Sequence, residues 1–196
     1  MQINVPPVFR YPEAIAFWII YVWAFVAEGK LIRKSLSSEP GPQDQGTMRF
    51  ILIANQTAIV LAFGLAFVPW GLIPQPRAAL VVGTLLLLSG GVLRRICFRT
   101  LGRHFTGTVT VTQDQPVIQD GPYRWVRHPS YAAGLLLFLG VGIALGSLLS
   151  VAALMGLSAC AYSRRVRAEE IALVETLGEP YREYMRRTKR FIPFVY

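Results

Sequence analysis

Hydrophobic residues fall into four blocks along the chain, at 14–27, 50–68, 78–93 and 131–162, and each block is closed by basic residues or by turn formers. The first, AIAFWIIYVWAFVA, is shorter than the roughly 20 residues a hydrocarbon core asks of a helix, so a span here must borrow flanking residues or sit tilted. A signal peptide would carry its basic residues before the apolar run, whereas Lys30, Arg33 and Lys34 follow it. The second block is interrupted by Asn55, Gln56 and Thr57, whose polar groups predict faces turned to other helices or to a cavity. Pro69, Trp70 and Gly71 end it, and the third block stops at Arg94 and Arg95, which mark a water boundary beyond which an amphipathic extension continues. The fourth runs 32 residues without a formal charge. At 1.5 Å per residue this is about 48 Å of helix, too long for one span, and the spacing predicts a tight helical hairpin turning near Gly146 to Ser150.

Between the blocks, residues 37–46 (SSEPGPQDQG) read as an exposed loop, and 106–112 alternate like a short strand. After Ser163, Val166, Ile171, Val174, Leu177 and Tyr181 recur at helical spacing until Gly178 and Pro180 punctuate the pattern. The bland reading of Arg186, Arg187, Lys189 and Arg190 further on is a face for anionic headgroups. The fold expected is therefore an all-α integral membrane protein of about five transmembrane helices, the last two a hairpin. It forms a single domain over 1–196, with three N-terminal spans in 1–93 and a functional region in 94–196.

Composition agrees: the chain is 53% hydrophobic and only 16% charged. A net charge of +9 would in a polar chain suggest nucleic acid, but here the positive-inside rule accounts for it and no recognition motif accompanies it. Segment 94–130 carries six Arg against two Asp, segment 163–196 eight Lys or Arg against five Glu, and loop 69–77 only Arg77. This places the polar segment and the C-terminal tail on the cytoplasmic side, with the hairpin tip opposite. Both feet of the hairpin then meet on one face. Cys97 and Cys160 lie in or beside apolar runs and imply no disulfide, and with His104 and His128 they lack ligand spacing, so no metal site is expected. Ser89, Gly90 and Gly91 lie inside an apolar block, so there is no Rossmann-type glycine loop.

The candidate chemistry sits at those two feet. The pattern Gly121-x-Tyr123-x-x-x-Arg127-His128-Pro129-x-Tyr131, followed by Glu169-Glu170-x-x-Leu173, Leu177-Gly178 and Tyr181-x-x-Tyr184, resembles the two signatures of the integral-membrane methyltransferases. That superfamily includes isoprenylcysteine carboxyl methyltransferases and phospholipid N-methyltransferases. The similarity runs from about residue 101 to the C-terminus. It implies an S-adenosylmethionine site facing the cytoplasm, surrounded by His128, Tyr131, Arg127, Pro129 and the backbone from Val117 and Ile118 through Gly121 to Tyr123, with Glu169 and Glu170 holding polar groups of the cofactor. It also implies a lipophilic or lipidated acceptor reaching the site from the membrane. For a carboxylate acceptor the family comparison points to Arg165; for an amine, Glu169 or Glu170 becomes the candidate base. Gln115 stands where prenylcysteine enzymes commonly carry histidine, and residues 132–136 (AAGLL) replace an aromatic-rich run. Carboxyl O-methylation is the leading expectation. Lipid N-methylation, a membrane reductase and a non-catalytic membrane protein are the alternatives.

Overall fold

A computed structural model describes residues 4–36, 44, 46–105, 109, 111, 112 and 115–191, with the backbone alone for 27, 28, 30–36 and 103. A short helix α1 (Pro7–Arg10) leads into α2 (Ala14–Leu36), α3 (Thr47–Leu65), α4 (Pro76–Leu101), α5 (Pro129–Ala144), α6 (Leu148–Leu177) and α7 (Glu179–Arg187). Among the described residues there is no strand, only two isolated backbone bridges. The strand expected at 106–112 lies partly outside the described residues, and Val109, Val111 and Thr112 pair with no strand. Helices α3 and α4 are long and apolar enough to cross a bilayer, while Ala14–Val26 of α2 and the whole of α5 are shorter apolar helices. Ile15, Ile19 and Val22 of α2, Ile53, Val60 and Leu61 of α3, and Val81, Val82 and Leu85 of α4 stay exposed, forming the apolar outer surface a lipid-embedded bundle requires.

The hairpin forms where the glycine pattern placed it. Helix α5 ends at Ala144, Gly146 adopts φ +73°, and the Ser147 hydroxyl accepts from Ser150 N at the start of α6. The tip is fastened to the α3–α4 loop by Ile73 N donating to Gly146 O at 2.9 Å and Leu148 N donating to Gly71 O at 2.7 Å. Helix α6 is 30 residues long, so about 45 Å, and its last turns stand beyond the apolar block.

Packing of α4 against α5 is the closest in the bundle, because glycines remove the side chains between them. A Cβ at Gly90 would stand 2.6 Å from Leu137 N and 2.9 Å from Ala133 O, and Gly83 and Gly140 meet the opposing backbone still more closely. Gly90→Ala is therefore expected to lower the melting temperature in detergent, at a cost of about 1–3 kcal/mol from overpacking. Gly156→Ala, where an added Cβ meets nothing within 4 Å, should melt at or above the wild-type temperature. Equal melting of the two variants would contradict this account of the seam.

Two sequence expectations change. Of the polar trio in α3 only Asn55 turns inward, its Nδ2 donating to the Tyr162 hydroxyl at 3.4 Å, while Gln56 and Thr57 are exposed on the outer face. One helical face cannot hold three consecutive residues, so two of them point away. Asp44, read as part of an exposed loop, is only 2% exposed. The remainder of that loop, 37–43 and 45, lies outside the described residues.

Candidate active site

Helices α3, α4 and α6, the segment before α5 and the C-terminal region surround one cavity of roughly 200 Å³. Helix α6 contributes a stripe at spacings of three and four, Tyr162, Arg165, Glu169, Leu173 and Leu177, which is one helical face. Helix α4 contributes Arg94, Phe98 and Leu101 in the same manner, from the extension past its apolar block. The lining combines the apolar Met48, Ile51 and Leu52 of α3 with Arg127, His128, Tyr131 and Glu169.

The Arg127-His128-Pro129 turn is positioned from two directions. Pro129 opens α5, where a missing N–H costs nothing. On the other side the C-terminal segment pairs with it: Arg127 N donates to Lys189 O at 2.8 Å and His128 N to Arg190 O at 3.0 Å. The short 3-10 turn Gly121–Arg124 is pinned by the Tyr184 hydroxyl donating to Tyr123 O at 2.6 Å, and Gly121 adopts φ +55° there, a conformation that favours glycine.

Adjacent on α6, the two glutamates point in different directions and take different partners. Glu170 is buried away from the cavity. Its Oε1 accepts from Arg127 Nε at 2.9 Å and its Oε2 from Arg190 at 3.0 and 2.7 Å. Burial alone would raise its carboxyl, but the neighbouring His128, Arg190 and Arg127 outweigh it and hold the group down at about 2. Arg127 also donates to the carbonyls of Met185 and Thr188, so one ion-paired set ties the turn, α6 and the C-terminal segment together.

Glu169 faces the cavity. Its Oε1 accepts from the Tyr131 hydroxyl at 2.5 Å and from Arg165 Nε at 2.8 Å. His128 lies between the two carboxylates, Nδ1 3.6 Å from Glu169 Oε2 and Nε2 3.4 Å from Glu170 Oε1, and Nε2 is buried without a hydrogen bond. Arg165, 2% exposed, also donates through NH1 to Thr47 Oγ1 at 2.9 Å and to the Asp44 carboxylate. The opposed charges hold the guanidinium firmly protonated despite its burial, and Val109 N and Arg165 keep the Asp44 carboxyl below its ordinary range against the pull of burial.

Of the residues singled out in the sequence, Val117, Ile118, Tyr123, Arg127, His128, Tyr131, Arg165 and Glu169 line the cavity. Gly121, Pro129 and Glu170 support it from behind. Arg190, read as a headgroup-facing residue, is instead a partner of Glu170, while Arg186 and Arg187 stay exposed and pair with Glu179 and Glu183 of their own helix. Asn55 lines the cavity, as its polar group in an apolar block suggested, whereas Asp44, Arg94 and Tyr162 were not singled out as site residues. The i, i+4, i+7 spacing of Arg94, Phe98 and Leu101 past the apolar block was the available signal for that wall.

Residues 81–175, close to half the chain, match the family model described as the isoprenylcysteine carboxyl methyltransferase family. Over these residues the chain is similar to the isoprenylcysteine carboxyl methyltransferase family. The protein-S-isoprenylcysteine O-methyltransferase of Xenopus laevis is 30% identical over 117 residues, 59% of this chain and 41% of that protein. A probable protein-S-isoprenylcysteine O-methyltransferase of Oryza sativa subsp. indica is 32% identical over 116 residues, 58% of this chain and 61% of the relative. The chain thus spans about half the length of these curated relatives. The solved structure of a eukaryotic intramembrane Ras methyltransferase, an isoprenylcysteine carboxyl methyltransferase, superposes with a TM-score of 0.58 at 26% identity, covering 74% of this chain and 52% of that one. Family and structural neighbour agree with an integral membrane protein. Asp44 falls outside the matched residues.

Proposed function

We propose that this chain is an S-adenosylmethionine-dependent methyltransferase that esterifies the carboxyl group of an isoprenylcysteine-like acceptor, with its site on the cytoplasmic side. The observation that carries this reading is the mixed lining of one cavity: the polar Glu169, His128 and Tyr131 share it with the apolar Met48, Ile51 and Leu52. A polar donor and a lipid-bearing acceptor can meet there without either leaving its preferred surroundings.

The residues present suit the cofactor. Glu169 offers acceptor capacity beyond its two donors, suited to a ribose diol or an ammonium. The buried His128 Nε2 lacks a hydrogen-bond partner, and the rings of Tyr131, Tyr162 and Tyr181 supply surfaces for an adenine. When bound, that cofactor would supply an electrophilic methyl group on a sulfonium, which a carboxylate oxygen can take up without any proton being moved. The chain's part is alignment and exclusion of water, for which up to about 7–11 kcal/mol is available. Arg165 orients Glu169 and, with Arg94, gives the cavity wall the guanidinium groups an acceptor carboxylate would face.

The test is transfer of a radiolabelled methyl group to N-acetyl-S-farnesylcysteine and into a membrane extract. Base-labile label in both supports ester formation; base-stable label would replace it with N-methylation, and no transfer with intact protein would overturn the reading. His128→Ala is expected to weaken S-adenosylhomocysteine binding by at least about tenfold, read by calorimetry in detergent. Unchanged affinity in folded protein would remove His128 from the site.

A further inference from the structure

Among the described residues, Asp44 is the one site-linked acid that stands outside both sequence signatures and outside the residues the family model matches. It is built in from every side. Its carboxylate accepts from Met48 N at 3.3 Å and from Val109 N at 3.1 Å, and it pairs with Arg165, whose NH1 also reaches Thr47 Oγ1 at 2.9 Å. Arg165 in turn donates to Glu169 at 2.8 Å, and Glu169 lines the cavity. The result is a continuous chain of charges, acid–base–acid, running from the start of α3 to the cavity wall.

Charge counting gives this chain a purpose, on the reading that the methyl donor is a sulfonium. With the donor in place, two cations, the Arg165 guanidinium and the sulfonium, would share a single carboxylate if Glu169 stood alone. Glu170 cannot help, since Arg127 and Arg190 both engage it. Asp44 supplies the second anion. We infer that Asp44 is a positioning residue for the methyl donor: by taking one edge of Arg165 it keeps Glu169 only partly neutralised, so that this carboxylate stays negative toward the sulfonium. Electrostatics at this range acts through a partly buried medium, where removing one unit charge changes the binding of a cation about tenfold or more.

Two ligands that differ by that charge provide the readout. S-adenosylmethionine carries the sulfonium; S-adenosylhomocysteine is the neutral thioether of nearly the same shape. Asp44→Asn is expected to weaken the first by about tenfold and the second by less than about threefold, measured by calorimetry on the full chain in detergent. A general loosening of the fold would weaken both equally, and that outcome, or an unchanged ratio, overturns the inference. Asp44→Glu keeps the charge, and its ratio of affinities should stay at the wild-type value; a ratio shifted in Asp44→Glu as far as in Asp44→Asn counts against the inference. Should Asp44→Asn fail to fold, Asp44→Ser is read in its place, with an unchanged ratio as the overturning result. Wild-type protein that binds neither ligand would instead sink the cofactor reading on which this one rests.

Discussion

Arg165→Met is expected to abolish measurable methyl transfer, a loss of at least about a hundredfold, and to lower the melting temperature of the protein in detergent. The arginine is among the most buried side chains of the molecule, and it lies between two carboxylates with a threonine hydroxyl on the same edge. Without it, Asp44 keeps its backbone donors Met48 N and Val109 N but loses its countercharge. Among the described residues, Glu169 keeps the Tyr131 hydroxyl as its hydrogen-bond donor. Breaking a buried pair by removing one partner costs about 3–5 kcal/mol, because the survivor stays buried with its charge. Here one deletion strands two survivors. Glu169 would turn toward solvent or take up a proton, and in either case the cavity wall loses its carboxylate charge. Arg165→Lys should recover part of the stability and little of the transfer, since a single ammonium cannot hold two carboxylates along the edges of a plane. Thermal melts and single-turnover transfer assays check both statements. Near-wild-type transfer by Arg165→Met would show that Glu169 needs no such support.

How much of this could be read from the residues depends on whether the signal was periodic or singular. The hairpin was legible because 32 uncharged residues exceed one span and glycine stands near the middle. The convergence of the Arg-His-Pro turn and the glutamate pair followed from it, and the structure brings His128 within 3.4 Å of Glu170 and 3.6 Å of Glu169. The extension of α4 and the punctuation of α6 at Gly178 were likewise visible as spacing. Asp44 was not, since an acid among serines, prolines and glutamines carries no mark of burial, and its partner lies 121 residues further on. Arg190 misled for the opposite reason. It stands among basic neighbours, Arg186, Arg187 and Lys189, whose surface role is easy to read, while its own charge is committed to Glu170. Gln56 and Thr57 show the limit of treating a polar run as a unit in a helix. Long-range charge pairing is a property of tertiary contact, and one sequence contains no record of it.

Glu170→Gln carries the second large expectation, and it differs from the first in its dependence on pH. The carboxylate holds Arg127, which anchors the Arg-His-Pro turn, and Arg190, which anchors the C-terminal segment. The amide keeps the shape and loses the charge, so two guanidinium groups lose their shared countercharge in one step. Binding of S-adenosylhomocysteine should fall by at least about tenfold, because the turn that carries His128 is no longer clamped against Lys189 and Arg190. The stability effect has a definite sign. In the folded protein the group sits at about 2, against an ordinary 4.5, so folding favours its ionised form. Its contribution, on the order of 3 kcal/mol, is fully present above the ordinary value and is lost as pH falls through that interval toward about 2. The gap in stability between wild type and Glu170→Gln should therefore be constant from pH 7 down to about 5 and close progressively below about 4.5. Melts of both proteins in one detergent across that range measure it. A gap that widened toward low pH would mean that the folded protein prefers the protonated acid, and the ion-paired clamp would then have to be abandoned as the element that holds the site closed.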